Sequence, residues 1–188
     1  STHELVEPWH DAVTQHIQRQ GFSYVPGSRV KILFVPSYLN GDDGIFNLPY
    51  YDLLIGFDLS LFPSYYEPWG YTPHESVAFS IPTITTSLSG FGAWAGQQGQ
   101  GKSPFHNGVE VIPRDDDNYA EAVEAIALVI RDFSLKSASR VATLKRKAAK
   151  LSDQADWAHF IVHYQEAYRK ALHNSFLRLS RPYTANVR

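Results

Sequence analysis

Phe62-Pro63-Ser64-Tyr65-Tyr66-Glu67-Pro68-Trp69-Gly70-Tyr71-Thr72-Pro73-His74-Glu75 is the stretch from which the rest of the chain can be organised. It leaves a short apolar run, residues 59–62, bounded as a buried strand would be. It then enters a helix start, where Thr72 reads as the N-cap, Pro73 as the first helical residue and Glu75 as the capping-box partner. A helix start aims free backbone N–H groups and a positive dipole end outward, which suits a phosphate. Thr-Pro-x-Glu alone is an ordinary cap. The rings of Tyr65, Tyr66, Trp69 and Tyr71 around Glu67 and Glu75 add a second signal. Sugars pack their C–H faces on rings while their hydroxyls bond to carboxylates.

Working outward, strands and helices alternate. Residues 5–20 read as a helix with Pro8 in its first turn and Gly21 closing it. Residues 30–35 (VKILFV) read as a buried strand between turn residues, and 49–56 as a short helix. Residues 59–62, 83–86 and 109–112 read as three further strands, with a helix over 73–80. Residues 90–108, glycine-rich and polar, read as a mobile loop. Tyr119, Ala122, Ile126, Val129 and Phe133 share one helical face, and Trp157, Phe160, Ile161, Tyr164 and Tyr168 another. The expected class is α/β, a Rossmann-like parallel sheet flanked by helices. Ligands of such sheets sit beyond the carboxyl ends of strands, where Glu67 falls.

The 188 residues, 44% hydrophobic, are enough for one domain with a real core. We read 1–188 as a single domain, with 153–188 as a C-terminal helix and tail. A net charge of −2 gives no footprint for nucleic acid. The absence of Cys excludes disulfides, thiol nucleophiles and Cys-based metal sites, and fits a reducing compartment. No apolar run approaches the roughly 18 residues of a membrane span, and the first residues carry no signal pattern, so a cytoplasmic protein is expected. With no Met, the expectation is an excised piece of a longer protein. His159 and His163 are an i, i+4 pair without a third ligand, so no metal and no cofactor are expected.

FPSYYEPWGYTP with Glu75, followed by SLSGFG at residues 87–92, resembles the donor-site signature of the glycogen synthases of animals and fungi. These are retaining glycosyltransferases of the two-lobed GT-B type. The resemblance extends to Thr2-His3, to VKILFVPSYLN at residues 30–40, and to Leu151-Ser152-Asp153 with Asp156-Trp157, covering roughly residues 2–172. It implies part of the C-terminal, nucleotide-sugar-binding lobe. Glucose would pass from a nucleotide sugar, UDP-glucose favoured, to the non-reducing end of an α-1,4-glucan with retention of configuration. Front-face attack would be assisted by the leaving phosphate.

The resemblance also assigns roles. Glu67 would contact the transferred glucose and Glu75 the donor ribose. Thr72 and the amides after Gly70, with Trp69 and Tyr71 beside them, would hold the distal phosphate. Tyr50 would stack on the base, with Tyr38 nearby. Further partners would be the N-terminal lobe of the parent chain and a homo-oligomeric copy. His74 departs from the pattern, since Ala is usual there. A basic helix at about residues 137–150 carries Arg140, Lys145, Arg146, Lys147 and Lys150. The matching family helix is richer in arginine and binds glucose 6-phosphate; lysine does not reproduce a bidentate clamp, so that activation is not expected here. The upstream Arg and Lys that neutralise the donor diphosphate are missing, so the chain alone is expected to be inactive. Two rivals stand beside this reading. One is a retaining glycosidase using Glu67 and Glu75, which needs carboxyl groups about 5–5.5 Å apart. The other is a non-catalytic glucan-binding module built on Tyr65, Tyr66 and Trp69.

Overall fold

A computed structural model describes residues 4–22, 27–99 and 104–180. Thr2-His3, the end of the glycine-rich stretch at Gln100-Gly101 and the tail from 181 lie outside the described residues. The chain divides into two compact units, residues 1–57 and 58–188.

The first unit holds two short helices, α1 (Ala12–Arg19) and α2 (Tyr50–Leu54). α1 begins seven residues later than the apolar pattern suggests, because Asp11 caps it. The Asp11 carboxylate accepts the Thr14 N–H at 2.7 Å, and the Thr14 hydroxyl donates to the Pro8 carbonyl. Between the helices Asp43, fully buried, accepts the N–H groups of Ile45, Phe46 and Asn47 at 2.8–3.0 Å. Burial pushes its pKa up, but these donors outweigh that and hold it below the usual value. The strand expected at residues 30–35 does not form. That segment has no regular structure, and Val30, Ile32, Leu33 and Phe34 are exposed. An apolar run becomes a strand only where a neighbouring ladder pairs its backbone, and none does so among the described residues.

The second unit is the α/β body. Its strands β1 (Ser60–Leu61), β2 (Thr83–Thr86) and β3 (Val109–Ile112) form a parallel sheet in the order β1-β2-β3. Helix α3 (Tyr71–Ala78) connects β1 to β2, and α4 (Gly90–Gly99) follows β2. Helices α5 (Tyr119–Ser134), α6 (Ala138–Gln154) and α7 (Trp157–Leu179) follow β3. Both sheet faces are covered, as expected. On one, Val77, Phe91, Ala95, Val109, Ala148 and Leu151 form a core from α3, α4, β3 and α6. On the other, Ile84, Phe105, Ile112, Ala122, Phe133 and Leu144 form a second. The alternation of Val109 and Ile112 between the two cores is the period of a strand.

Two elements differ from the sequence reading. The segment expected as a loop from residue 90 begins as α4. Ser89 caps it: its hydroxyl accepts the Gly92 N–H at 2.8 Å, and its carbonyl accepts the Ala93 N–H at 2.9 Å. The glycines serve close approach. A Cβ on Gly92 would lie 2.1 Å from the Thr86 carbonyl oxygen, and one on Gly90 2.2 Å from that of Pro68. α3, in turn, begins at Tyr71 with Gly70 as its N-cap, so Thr72 is inside the helix and does not cap it. Gly70, at φ 99°, turns the chain straight from Trp69 into the helix, and the first intrahelical bond runs from the His74 N–H to the Gly70 carbonyl.

Candidate functional site

The Glu67 loop is an extension of the sheet beyond its carboxyl edge. Past β1, the Glu67 N–H donates to the Leu88 carbonyl at 3.3 Å, and the Glu67 carbonyl accepts the Gly90 N–H at 3.0 Å. Glu67 and Ser89 thus pair as a parallel bridge, and the Phe91 N–H donates to the Trp69 carbonyl. The SLSGFG motif is therefore the backbone partner of the Glu67 motif. The bare Cα of Gly90 lets the two chains touch. The Thr86 hydroxyl donates to the Ser64 carbonyl, fixing the start of the same loop.

Beneath the loop a buried hydroxyl cluster joins three elements. Ser60 on β1 lies 2.6 Å from Ser76 of α3 and 2.9 Å from Thr83 of β2, oxygen to oxygen. Thr83 also donates to the Ile81 carbonyl. Buried hydroxyls are costly unless paired, so this network holds α3 at a set position against the sheet.

At its mouth, α3 leaves the N–H groups of Tyr71 and Thr72 without an intrahelical acceptor, while Pro73 has none to offer. A Cβ on Gly70 would sit 3.3 Å from the Glu67 Cγ and 3.1 Å from the Pro73 ring. The glycine therefore gives Glu67 room and brings its side chain to the start of α3. Glu75 lies half-buried on the same helix. The Glu67 side chain therefore lies next to the start of α3, whose first amides are at the positive end of the helix.

The aromatic residues divide by role. Trp69 packs edge-on against Phe91 and Phe160, each 5.9 Å between ring centres, so its ring belongs to the packing under the loop. Tyr65 is bound to Asp116 through its hydroxyl, and that bond, with the charge of Asp116, holds its pKa above the usual value. Tyr66 and Tyr71 are exposed. Of the three rings named for a glucan module, Tyr65 and Tyr66 are exposed and Trp69 packs against Phe91 and Phe160. Tyr38, 93% exposed, and Tyr50, whose N–H donates to the Leu39 carbonyl, belong to the first unit.

One feature of the site, Arg114, escaped the sequence, while His74 was visible there as a departure from the family pattern. Arg114, just past β3, lies between the rings of Tyr65 and Tyr119, 5.4 and 5.3 Å from their centres. Its position after a strand's carboxyl end was the available signal. His74 is half-buried and accepts the Trp69 indole N–H on Nδ1 at 3.3 Å. Burial lowers its pKa, with Glu75 opposing. On the basic helix, Lys145 is paired to Asp58 at 2.9 Å, so part of that positive charge is neutralised within the unit.

Comparison with known proteins shows the family. Residues 1–184 match the family model described as glycogen synthase. The chain belongs to the glycogen synthase family. It is 32% identical over 175 residues to glycogen [starch] synthase isoform 2 of Saccharomyces cerevisiae, covering 93% of this chain and 25% of that protein. It is 35% identical over 171 residues to the Caenorhabditis elegans glycogen [starch] synthase, covering 91% and 25%. With the human liver glycogen [starch] synthase it shares 30% over 176 residues, 94% and 25%. The chain thus spans about a quarter of the length of the glycogen synthases it matches. No helix among the described residues is long and apolar enough to cross a membrane.

Proposed function

We propose that this chain is donor-binding machinery of a cytoplasmic glycogen synthase, a retaining glycosyltransferase that moves glucose from UDP-glucose to the non-reducing end of an α-1,4-glucan. The observation that carries the proposal is the pairing of Glu67 with the open N-terminus of α3, built by Gly70 and clamped by residues 88–91. The Tyr71 and Thr72 amides would hold the distal phosphate of the donor. Glu67 would meet the transferred glucose, and Glu75 the ribose. Tyr50 would stack on the base, with Tyr38 beside it. Fixed dipoles stabilise the departing diphosphate because they need no reorganisation as charge develops.

The proposal includes an N-terminal lobe supplying most acceptor contacts and the cations for the diphosphate, and a homo-oligomeric assembly. The 188-residue chain alone should then bind UDP without transferring glucose, since positioned charge supplies most of the stabilisation in phosphate-leaving chemistry. Calorimetric titration with UDP and a glucose-incorporation assay on glycogen test this together. Failure to bind any nucleoside diphosphate, or measurable incorporation by the chain alone, would overturn it.

A further inference from the structure

Three strand exits meet at the Glu67 loop, and the proposed donor site accounts for only two of them. The exit of β2 clamps the loop through the Thr86 hydroxyl on the Ser64 carbonyl and through the bridge between Ser89 and Glu67. The exit of β3, residues 113–118, reaches the same loop by side chains. The Tyr65 hydroxyl donates to the Asp116 carboxylate, and the Arg114 guanidinium lies 5.4 Å from the Tyr65 ring centre. β2 stands between β1 and β3 in the sheet, so these contacts cross over the end of β2.

Tyr65 docks on a braced loop. The Asn118 Oδ1 accepts the Asp115 N–H at 2.9 Å and the Arg114 guanidinium at 3.1 Å, while its Nδ2 donates to the Pro113 carbonyl at 3.0 Å. The Asp115 Oδ1 accepts the N–H groups of Asp117 and Asn118, each at 2.9 Å. The Ser87 hydroxyl accepts the Arg114 N–H at 2.9 Å, which ties this loop to the exit of β2. Arg114 itself is half-buried between the rings of Tyr65 and Tyr119, and that stacking fixes the orientation of its fork.

The span between the two clamps of β2 is short. Ser64 and Glu67 are the held residues, and only Tyr65 and Tyr66 lie between them. Tyr66 is 80% exposed, so Tyr65 supplies the side-chain anchor of the span. The bond from the Glu67 N–H to the Leu88 carbonyl is long, at 3.3 Å. A third anchor therefore limits how far the loop can lift from β2, and with it where the Glu67 carboxylate points.

We infer that Arg114 and Asp116 are positioning residues for Glu67, acting through Tyr65. The inference rests on the donor role of Glu67 proposed above. Its effect falls on turnover, because a small misplacement of a group that meets the reacting sugar removes stabilisation available only in the transition state. The phosphate and base contacts proposed for α3 and Tyr50 do not pass through Tyr65, so donor affinity is spared.

In an intact parent enzyme, Arg114→Ala and Asp116→Ala should each lower kcat about tenfold and leave KM for UDP-glucose within about twofold. Asp116→Asn keeps an acceptor for the phenol and should recover most of the loss. Tyr65→Phe removes the same hydrogen bond, a minimal change that keeps the ring, and should lower kcat roughly threefold. Combined with Asp116→Ala it should be no worse than Asp116→Ala alone. In the 188-residue chain none of these variants should change UDP affinity, and thermal melts show which are folded. Unchanged kcat in the folded variants overturns the inference. So does a lower rate accounted for by weaker UDP binding, an Asp116→Asn enzyme as impaired as Asp116→Ala, or additive losses in the double variant. If Glu67→Gln loses turnover while Arg114→Ala and Tyr65→Phe are silent, the positioning role falls and the donor proposal stands. A silent Glu67→Gln removes the donor role of Glu67, and this inference with it.

Discussion

Residues 30–35 and residues 83–86 make opposite use of their composition. VKILFV is apolar at five of its six positions, yet Leu33 is 64% exposed and the segment has no regular structure. TITT has three hydroxyls in four residues, yet every one is buried at the centre of the sheet. The difference lies in partners. β2 is flanked by β1 and β3 and covered on both faces. Thr83 finds Ser60 and Ser76, and Thr85 lies 3.2 Å from Ser89, so burying those hydroxyls costs little. Burial follows the availability of a ladder and hydrogen-bond partners more closely than hydrophobicity.

The contrast carries over to the proposed donor residues. Glu67 is held by backbone bonds through both its N–H and its carbonyl, whereas Tyr38 and Tyr50 belong to the unit in which residues 30–35 form no strand. If chemistry depends on the well-held region, Glu67→Gln in an intact parent enzyme should lower turnover by roughly a hundredfold, on the order of 3 kcal/mol, with donor affinity largely kept. Steady-state kinetics against UDP-glucose would show it. Near-normal turnover would break the comparison at its strongest point.

Gly92→Ala probes the clamp itself. The added methyl meets the Thr86 carbonyl and the Ser89 hydroxyl, both in tightly paired structure. Overpacking of this kind costs about 1–3 kcal/mol, so the 188-residue chain should melt earlier and lose UDP binding in proportion. An unchanged melting temperature would mean that the approach of α4 to β2 is looser than its geometry.

On the other side of the comparison, Tyr50→Ala should weaken UDP binding by roughly fivefold to a hundredfold if its ring stacks on the base, about 1–3 kcal/mol. Tyr50→Phe should be nearly silent, because stacking uses only the ring face. A Tyr50→Ala protein that melts early but binds UDP normally would make Tyr50 a packing residue. The smallest effect is expected for Leu33→Ser, within about 0.5 kcal/mol in the 188-residue chain, since the side chain is already in water. A larger loss, read from thermal or denaturant melts, would show that the Leu33 side chain is packed and not in water.

Much of this was determined by local sequence. β2 and β3 fall at the expected residues, short runs beside Pro82, Gly108 and Pro113 that also find ladder partners. The faces of α5 and α7 were visible as helical periods, and the PWGYTP turn marked the βα junction. Tertiary structure decided what the glycines and caps are for. Gly90 and Gly92, loop markers by composition, lie at helix–strand contacts where a Cβ would strike a carbonyl. Gly70, not Thr72, starts α3, because the left-handed turn that makes room for Glu67 also begins the helix. Sequence periodicity reports which side chains can share a face. Only the assembled sheet determines which backbones must touch, and so which residues can afford no side chain at all.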